Sequence, residues 1–530
     1  MATAVQNEPV LIAGRWQASH GTETFQALNP TTLEPLPPQY PVSTWEDCEA
    51  ALAAAVDAAA RLRQLPAARI AQFLDTYADL IDANMAEIAE LAHQETALPI
   101  EPRLAKVEGP RTSNQLRQAA AAAREGTWAM PTIDTKLNIR SCYEPIGPVI
   151  VFGPNNFPLA FGSVSGGDFA AAIAAGNPVI GKANTSHPGT TRKLAELARQ
   201  AASQTGLPEA TVQLIYRTSH ADGERLVSDR RTGAVGYTGS RKAGLVLKAA
   251  ADKVGKPIYL ELSSVNPVVM LPGALRERGE KLVDEFMTSV LMGTGQFCTN
   301  PGLVLALSGQ ETETFIDSVR QRMSANEPGV LLSPSVQQSL VAAVDTLVRA
   351  GAELLCGGQA RQGRCAVENT LLRTSAEAFL RQPEVFQTEA FGNASLVVVA
   401  DTIDQLADVL RHLEGNLTGC ICSAEDGSDD PHYPALASIL TQRVGRLLND
   451  KMPTGVAVSP AMNHGGPFPA TGHPGFTAVG IPASIHRFAK LTCYDGVRQG
   501  RLPWLLQDKN PTGSTWRYID GKWTTADVDG

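Results

Sequence analysis

From about residue 147 the sequence alternates short apolar runs with longer stretches of helical periodicity, and this alternation constrains the fold most strongly. Helices are predicted at 163–175, 188–204, 220–229 and 239–252. The apolar runs between them predict strands at Val149–Phe152, Pro178–Gly181, Val212–Tyr216, Ala234–Tyr237 and Ile258–Leu260. Short buried strands separated by helices form a parallel sheet with crossovers. We therefore predict a doubly wound α/β domain that binds ligands at the carboxyl ends of its strands.

The flanking regions carry patterns of their own. Upstream, Ala- and Leu-rich periodicity predicts helices at 46–63, 66–93 and 104–125, and the alternation in KLNIRSCYEP (136–145) predicts an exposed antiparallel strand. Downstream, a second α/β block covers about 262–460, and residues 485–530 are rich in polar and turn residues. The helices predicted in that block lie near 274–292, 310–325, 334–350, 402–413 and 431–447.

Length and charge narrow the class of protein. A chain of 530 residues is too long for one core, so we expect two or three domains. The formal net charge of −9 argues against nucleic-acid and anionic-membrane surfaces, which need basic patches. The N-terminus lacks a secretory signal, and prolines interrupt the longest low-charge stretch, 148–181. The eight cysteines show no metal-ligand spacing, so we predict no metal and a cytoplasmic protein with reduced thiols.

Two nucleotide-binding signatures were considered. No GxGxxG sequence is present, which excludes the ordinary dinucleotide fingerprint. Residues 176–183 approach a phosphate-binding loop, but Ala183 stands where Ser or Thr would contact magnesium, and Asn177–Ile180 has the pattern of a strand. A P-loop-like nucleotide hydrolase is therefore kept only as an alternative from outside the main class.

Several polar residues follow predicted strands and could carry chemistry. Asn156 lies in a turn after a strand, where its amide either forms the turn or donates to an oxyanion. Glu261 lies at the end of a strand, where its carboxylate either belongs to an exposed turn or acts as a base. Lys182 lies at the end of another strand, where its ammonium either is solvated or binds a ligand. Gly239 and Ser240 form a strand-to-helix turn that suits a pyrophosphate. Cys298, in MGTGQFCTNPG, lies between glycines and a proline, whereas a structural cysteine more often lies inside an element.

Six motifs in this order resemble the aldehyde dehydrogenase superfamily: PNNFP, the strand-end Lys182, YTGSRKAG, LELSS, GQFCT and TEAFGN (388–393). The resemblance implies that Cys298 is a nucleophile that forms a thioester, with the Asn156 amide in the oxyanion hole and Glu261 as the hydrolytic base. It also implies that Lys182 and Glu389 hold ribose hydroxyls and that Phe391 packs near a nicotinamide. Members that transfer the acyl group to coenzyme A typically lack the base, so release of a free acid is expected.

The residue three positions after the lysine bears on the cofactor. Relatives that prefer NAD typically carry Glu there, whereas this chain has Thr185. A carboxylate would repel a 2′-phosphate and a hydroxyl can donate to one, so we predict that NADP is preferred and NAD tolerated.

A narrower resemblance is to the α-ketoglutaric semialdehyde (2,5-dioxovalerate) dehydrogenases, which yield 2-oxoglutarate. It is carried by RTSNQLR (111–117), LSSVNPVVMLPGAL, GQFCTNPG, NHGGPFPAT (463–471), TCYD and LLQDKNPTG (505–513). Arg111, which opens RTSNQLR, is the candidate anchor for the substrate carboxylate, although it could be a solvated arginine. Long-chain or other aldehydes with NADP are the alternative substrates.

The resemblance also implies an architecture. A cofactor-binding domain is expected from 1–126 and 146–260, a catalytic domain from 261–460, and a bridging sheet from 127–145 and 480–500, followed by a C-terminal extension at 501–530. The fold class is thus α/β, with two doubly wound parallel sheets and a small bridging sheet. Because the bridging hairpin exposes strand edges, we expect a homodimer or homotetramer.

Overall fold

The computed structural model describes residues 7–528. Residues 1–6, which belong to the N-terminus without a predicted secretory signal, and residues 529–530 lie outside the described part. Among the described residues, no helix has both the length and the apolar character needed to cross a membrane.

The strands are short, none longer than seven residues. They are β1 Val10–Ile12, β2 Arg15–Gln17, β3 Thr24–Phe25, β4 Tyr40–Pro41, β5 Thr132–Asp134, β6 Ile139–Pro145, β7 Val149–Phe152, β8 Val179–Lys182, β9 Val212–Ile215, β10 Ala234–Thr238, β11 Ile258–Glu261, β12 Pro267–Met270, β13 Leu303–Leu307, β14 Glu353–Cys356, β15 Ala360–Arg361, β16 Ala366–Val367, β17 Thr370–Ser375, β18 Ala394–Ala400, β19 Asn416–Cys422, β20 Val444–Asn449, β21 Ala489–Asp495, β22 Arg517–Ile519 and β23 Lys522–Thr524.

The helices cover the faces of the sheets and connect their parallel strands. They are α1 Trp45–Leu62, α2 Ala67–Ala83, α3 Met85–Thr96, α4 Gly109–Glu125, α5 Gly167–Ala174, α6 Pro188–Thr205, α7 His220–Ser228, α8 Arg241–Asp252, α9 Pro272–Leu291, α10 Gln310–Ala325, α11 Pro334–Arg349, α12 Ala376–Arg381, α13 Pro383–Phe386, α14 Ile403–Arg411, α15 Tyr433–Leu440 and α16 Ala483–His486. A π-helix, Ile100–Glu108, leads into α4, and short 3₁₀ turns cover Thr127–Ala129, Glu209–Thr211, Met292–Gly295, Gln499–Arg501 and Trp504–Leu506.

Two seven-stranded sheets form the body of the molecule. The first has the order β11-β10-β7-β8-β9-β1-β2, and the second has the order β14-β17-β18-β13-β12-β19-β20. Strands β7 to β11 pair in parallel, and their side chains are buried because helices cover both faces. The order reverses at β7, so the loops that follow β7 and β10 lie at the switch point where such sheets bind ligands.

A third, five-stranded sheet has the order β21-β6-β5-β22-β23. Its last two strands come from the C-terminal extension, and β22 pairs in parallel with β5. The buried side chain of Arg517 on β22 fixes this extension by donating to the main-chain oxygen of Asp508 at 3.0 Å and to that of Ala526 at 2.8 Å. The extension therefore covers one edge of the bridging sheet, while β21 forms the other edge with Leu491 61% exposed.

Four predicted elements differ from those observed. The predicted helix 66–93 is two helices, because the chain leaves helical geometry at Asn84 and the Asn84 amide caps the carbonyl of Leu80 at 2.8 Å. The predicted helix 104–125 starts as the π-helix. The predicted helix 431–447 ends at Leu440, because pairing with β19 makes the following residues a strand, β20. The strand predicted within 136–145 is observed as β6, but it is partly buried and not exposed throughout, since Arg140 and Cys142 are buried.

Candidate functional site

The predicted site residues lie at two sheet edges that the chain joins directly. Lys182 and Glu261 are the last residues of β8 and β11, at the carboxyl edge of the first sheet. Six residues after Glu261 the chain starts β12, at the amino edge of the second sheet. Cys298 shortly precedes β13 and Phe391 shortly precedes β18 at that same edge, because the beginnings of β12, β13 and β18 pair side by side.

The loop that carries Cys298 is held by hydrogen bonds to its main-chain carbonyl groups. The side-chain amide of Asn266 donates to the carbonyl oxygens of Cys298 and Asn300, at 2.9 Å each. Gly295 has a φ of +70°, and a Cβ there would lie 2.1 Å from the carbonyl oxygen of Gly392. Only glycine allows this approach, so the sequence Gly-Gln-Phe-Cys holds the thiol against the segment before β18.

Three chemically different side chains meet at the junction of the sheets. His464 Nε2 lies 3.3 Å from Cys298 Sγ and 2.9 Å from Glu261 Oε1. Glu261 and His464 are each 2% exposed, and Glu261 Oε2 has no hydrogen-bond partner within the described part of the chain. A thiol, an imidazole and a carboxylate in contact can pass a proton from one to the next.

Sequence reasoning missed His464. It lies in an irregular segment between β20 and α16, and main-chain hydrogen bonds from Leu262 to Ala470 and from Gly472 to Leu260 bind this segment to β11. The stretch 463–471 was recognised as a family resemblance, but no role was assigned within it. The sequence does contain one indication, because His464 is the only titratable side chain in NHGGPFPAT and is therefore the residue of that stretch best suited to proton transfer.

The surroundings oppose a thiolate in the resting site. Burial raises the pKa of the Cys298 thiol well above its usual value, the negative charge of Glu261 raises it further, and Arg111 lowers it. A thiol with a raised pKa is protonated at neutral pH, so it needs a proton acceptor before it can attack. His464 is placed to be that acceptor.

The Asn156 side chain links the two sheets. It follows β7, and its amide nitrogen donates to the carbonyl oxygen of Gln296 at 2.9 Å. The amide nitrogen carries two hydrogens, so one remains for a ligand oxygen. The Asn156 amide thus contacts the main chain at Gln296, two residues before Cys298.

Two arginines beside the thiol share an aromatic cluster but differ in their partners. Arg103 forms an ion pair with the buried Glu108 and donates to the carbonyl oxygen of Asn156 at 3.0 Å. Arg111, on α4, lies 5.0 Å from the Phe161 ring centroid, and its buried Nε and Nη2 have no partner among residues 7–528. Burial lowers the pKa of Arg111. Arg111 is therefore a desolvated cation with free donors.

A third arginine, Arg446 on β20, was also missed. Its Nη1 lies 3.6 Å from Met462 Sδ, two residues before His464, and its Nη2 is buried without a partner in the described chain. Burial lowers the pKa of Arg446, and the negative charge that Cys298 carries as a thiolate raises it. The site therefore contains two cations with unpaired donors.

The carboxyl edge of the first sheet holds a second group of predicted residues. Burial, with a contribution from the neighbouring Arg217, lowers the pKa of Lys182 to about 8. Thr185 is exposed. Gly239 N–H already donates to the carbonyl oxygen of Glu261 at 3.1 Å, and the Ser240 hydroxyl accepts from the N–H of Ala243 at the start of α8.

Glu389 and Phe391 extend this edge from the second sheet. The carboxylate of Glu389 accepts from the N–H of Ser264 at 3.2 Å, and burial raises its pKa to about 7. Phe391 is half-buried. A half-buried ammonium from Lys182 and a half-buried carboxylate from Glu389 fit the hydroxyls of a dinucleotide ribose, so the residues present suit a nicotinamide cofactor.

The fold and the site define a class of dinucleotide-dependent oxidoreductases with a reactive cysteine. The model of the aldehyde dehydrogenase family matches residues 16–428, and the chain belongs to that family. It is accordingly an NAD(P)-dependent aldehyde dehydrogenase, as the sequence predicted. Half of the Walker-like stretch, the basis of the P-loop alternative, lies in strand β8.

Individual relatives agree with this assignment. Alpha-ketoglutaric semialdehyde dehydrogenase 2 of Azospirillum brasilense is 38% identical over 527 residues, covering 97% of this chain and 98% of that protein. The alpha-ketoglutaric semialdehyde dehydrogenase of Acinetobacter baylyi is 35% identical over 512 residues, covering 94% and 95%. The structure of PnpE from Pseudomonas sp. WBC-3 with nicotinamide adenine dinucleotide has a TM-score of 0.80 at 20% identity, covering 95% and 100%. The predicted fold class is confirmed.

Proposed function

We propose that this enzyme oxidises α-ketoglutaric semialdehyde to 2-oxoglutarate and prefers NADP. The observation that carries the proposal is the pair of half-buried arginines, Arg111 and Arg446, which are charged neighbours of Cys298 and have buried donor nitrogens without a partner in the described chain. Buried cations without partners are costly unless a ligand supplies the counter-charge. The names of the two relatives above support the same substrate.

The first chemical step forms a bond to sulfur. His464 Nε2 takes the proton of the Cys298 thiol, and the thiolate attacks the aldehyde carbon. The free hydrogen of the Asn156 amide and the Cys298 N–H would stabilise the resulting oxyanion. The bound dinucleotide would supply the hydride acceptor, and loss of hydride leaves a thioester on Cys298.

The second step releases the acid. Glu261 Oε2, buried and without a partner in the described chain, accepts a proton from the water that attacks the thioester carbon. The carbon–sulfur bond breaks, and the thiolate regains a proton from His464. A carboxylate in this position favours hydrolysis over transfer to coenzyme A.

The preference for NADP rests on the cofactor edge. In our proposal Lys182 and Glu389 hold ribose hydroxyls, Gly239 and Ser240 flank the pyrophosphate, and Phe391 packs near the nicotinamide. Thr185 carries no charge that would repel a 2′-phosphate. The exposed guanidinium of Arg217, which follows β9 and affects the pKa of Lys182, adds positive charge at this edge.

An alternative substrate class has one observation in its favour. Three rings, Phe157, Phe161 and Phe297, pack together beside the site, with ring centroids 5.4 Å and 5.1 Å from that of Phe157. Such a wall suits the alkyl chain of a long-chain aldehyde, oxidised with NADP. Arginine donors without a partner do not suit an uncharged alkyl chain, so we rank the long-chain aldehyde second.

The test compares an acidic semialdehyde with an uncharged aldehyde of similar length. Arg111→Ala is expected to lower kcat/KM for the acidic substrate by about a hundredfold, because it removes a buried charge pair, and to change the uncharged substrate little. Arg117→Ala is the matched control, since Arg117 lies on the same helix but is 41% exposed and paired with Asp79 and Asp82. Equal losses on both substrates would remove Arg111 from the substrate site.

We also propose the domain division given by the sequence, with the first sheet in the cofactor-binding domain (1–126 and 146–260) and the second in the catalytic domain (261–460). A cytoplasmic homodimer or homotetramer is part of this proposal. The free edge of the bridging sheet at β21, with its exposed Leu491, supports an oligomer.

A further inference from the structure

The Cys298, His464 and Glu261 side chains together form a set of donors suited to a metal ion. One donor atom from each, a thiol sulfur, an imidazole nitrogen and a carboxylate oxygen, lies within 4.8 Å of the other two. These are the three ligand types of protein zinc sites, and three protein ligands with an open fourth position are typical of accessible zinc sites. His464 is 166 positions from Cys298 and 203 positions from Glu261 in the sequence, so spacing rules could not detect the set.

We propose that these three residues bind Zn²⁺ or a similar borderline-soft divalent cation, and that this binding reversibly inhibits the enzyme. In a tetrahedral zinc site the ligand atoms lie about 3.4–3.6 Å apart, given bond lengths of about 2.0–2.3 Å. The observed separations are 3.3 Å for sulfur to nitrogen and 2.9 Å for nitrogen to oxygen. Shifts of a few tenths of an ångström would widen these two contacts to the spacing of a tetrahedral site, and the sulfur lies within 4.8 Å of the carboxylate oxygen.

The charges favour a divalent ion. Coordination replaces the thiol proton, which is released to solvent, so the thiolate and the Glu261 carboxylate together balance the two positive charges. Glu261 Oε2, unpartnered within residues 7–528 and almost fully buried, offers a second oxygen to the ion. Arg111 and Arg446 oppose cation binding, which would keep the affinity moderate and the inhibition reversible.

Inhibition by the metal ion rests on the catalytic roles proposed above for these three residues. Binding of the ion does not depend on those roles. A bound ion would occupy the sulfur, its proton acceptor and the hydrolytic base at once. Both acylation and deacylation would stop, and removing the ion would restore them.

Cobalt(II) is the probe for binding, because a cobalt–thiolate bond gives a charge-transfer absorption that does not depend on turnover. The intact enzyme, kept reduced with a phosphine, is expected to bind one Co²⁺ with this band and to lose it in Cys298→Ser. His464→Gln should weaken Co²⁺ binding by about tenfold to a hundredfold, as for loss of a metal-site contact. Dinucleotide binding by each variant checks that it is folded.

Cys493→Ser is the matched control, because Cys493 is the exposed thiol and lies outside the trio. It should keep the band, and Zn²⁺ should inhibit it as it inhibits the unaltered enzyme, with recovery on adding EDTA. A band that survives Cys298→Ser, or equal affinity in His464→Gln, would overturn the site. Binding without inhibition would instead overturn the proposed catalytic roles.

Discussion

The cofactor edge and the acyl side of the site are built in different ways. At the cofactor edge, Lys182, Thr185, Gly239 and Ser240 all follow parallel strands of one sheet within a few residues. On the acyl side, Cys298, His464, Arg111 and Arg446 come from a loop, an irregular segment, a helix and a strand of the other sheet. The first region is positioned mainly by one regular sheet, to which the second sheet adds Glu389 and Phe391, and the second region is positioned by packing between distant segments.

This difference predicts that the two regions can be altered separately. Glu261 lies where they meet, since its carbonyl oxygen binds Gly239 N–H and its carboxylate contacts His464. A substitution that keeps its main chain should therefore change the chemistry and leave the dinucleotide affinity unchanged. The predictions below test this separation.

The largest effect is expected for Glu261→Gln. Its amide cannot accept a proton from water, so steady-state turnover should fall about 10²- to 10⁴-fold while a burst of one reduced dinucleotide per site remains. Loss of the negative charge that raises the pKa of Cys298 should also increase the thiolate fraction and its rate of alkylation. Rapid-mixing absorbance and iodoacetamide labelling measure the two effects.

Two outcomes would contradict this account. Full steady-state activity in Glu261→Gln would remove Glu261 as the hydrolytic base, and undiminished activity in Cys298→Ala would remove the thioester mechanism. A large change in the dinucleotide Kd of Glu261→Gln would show that the two regions are not separable.

A smaller effect is expected for Thr185→Glu at the cofactor edge. The new carboxylate should weaken NADP more than NAD by about tenfold to a thousandfold, because a charge pair near the surface is worth about 1–4 kcal/mol. Thr185→Gln is the control of equal size without the charge. Fluorescence titration of both cofactors measures the ratio, and parallel weakening of NAD and NADP would place Thr185 away from the 2′-phosphate.

The smallest effect concerns Glu389 and pH. Its pKa is raised from 4.5 to about 7 in the folded protein, so the folded state holds this proton more tightly than the unfolded state. The associated stability is fully present below about pH 4.5 and is lost as pH rises through about 7, by at most about 3 kcal/mol. Glu389→Gln should remove this dependence.

Thermal unfolding of the two proteins without cofactor at several pH values measures this difference. Relative to Glu389→Gln, the unaltered protein should lose a few degrees of Tm between pH 5 and pH 8. A Tm difference that is constant across this range would mean that Glu389 is not desolvated as the structure places it.

Helices and strands could be predicted from the sequence where the local hydrophobic pattern matches the burial of the element in the fold. Strand β7 was predicted at its observed bounds, and β9 and β11 to within one residue, because apolar runs between helices are buried on both faces of a sheet. The end of α15 was wrong, since the pairing of β20 with β19 is a long-range interaction that local periodicity does not contain.

The sequence by itself determined the class of protein and the residues that end its parallel strands, including Lys182 and Glu261, because strand ends place side chains at a known edge. It also singled out Cys298, whose role as the nucleophile is implied by the family resemblance and stays a prediction. Only the tertiary structure decided that His464 contacts both Cys298 and Glu261. It also decided that Arg111 and Arg446 each keep a buried donor without a partner in the described chain. Contacts between segments hundreds of residues apart depend on packing of the whole chain, and local patterns carry no information about them.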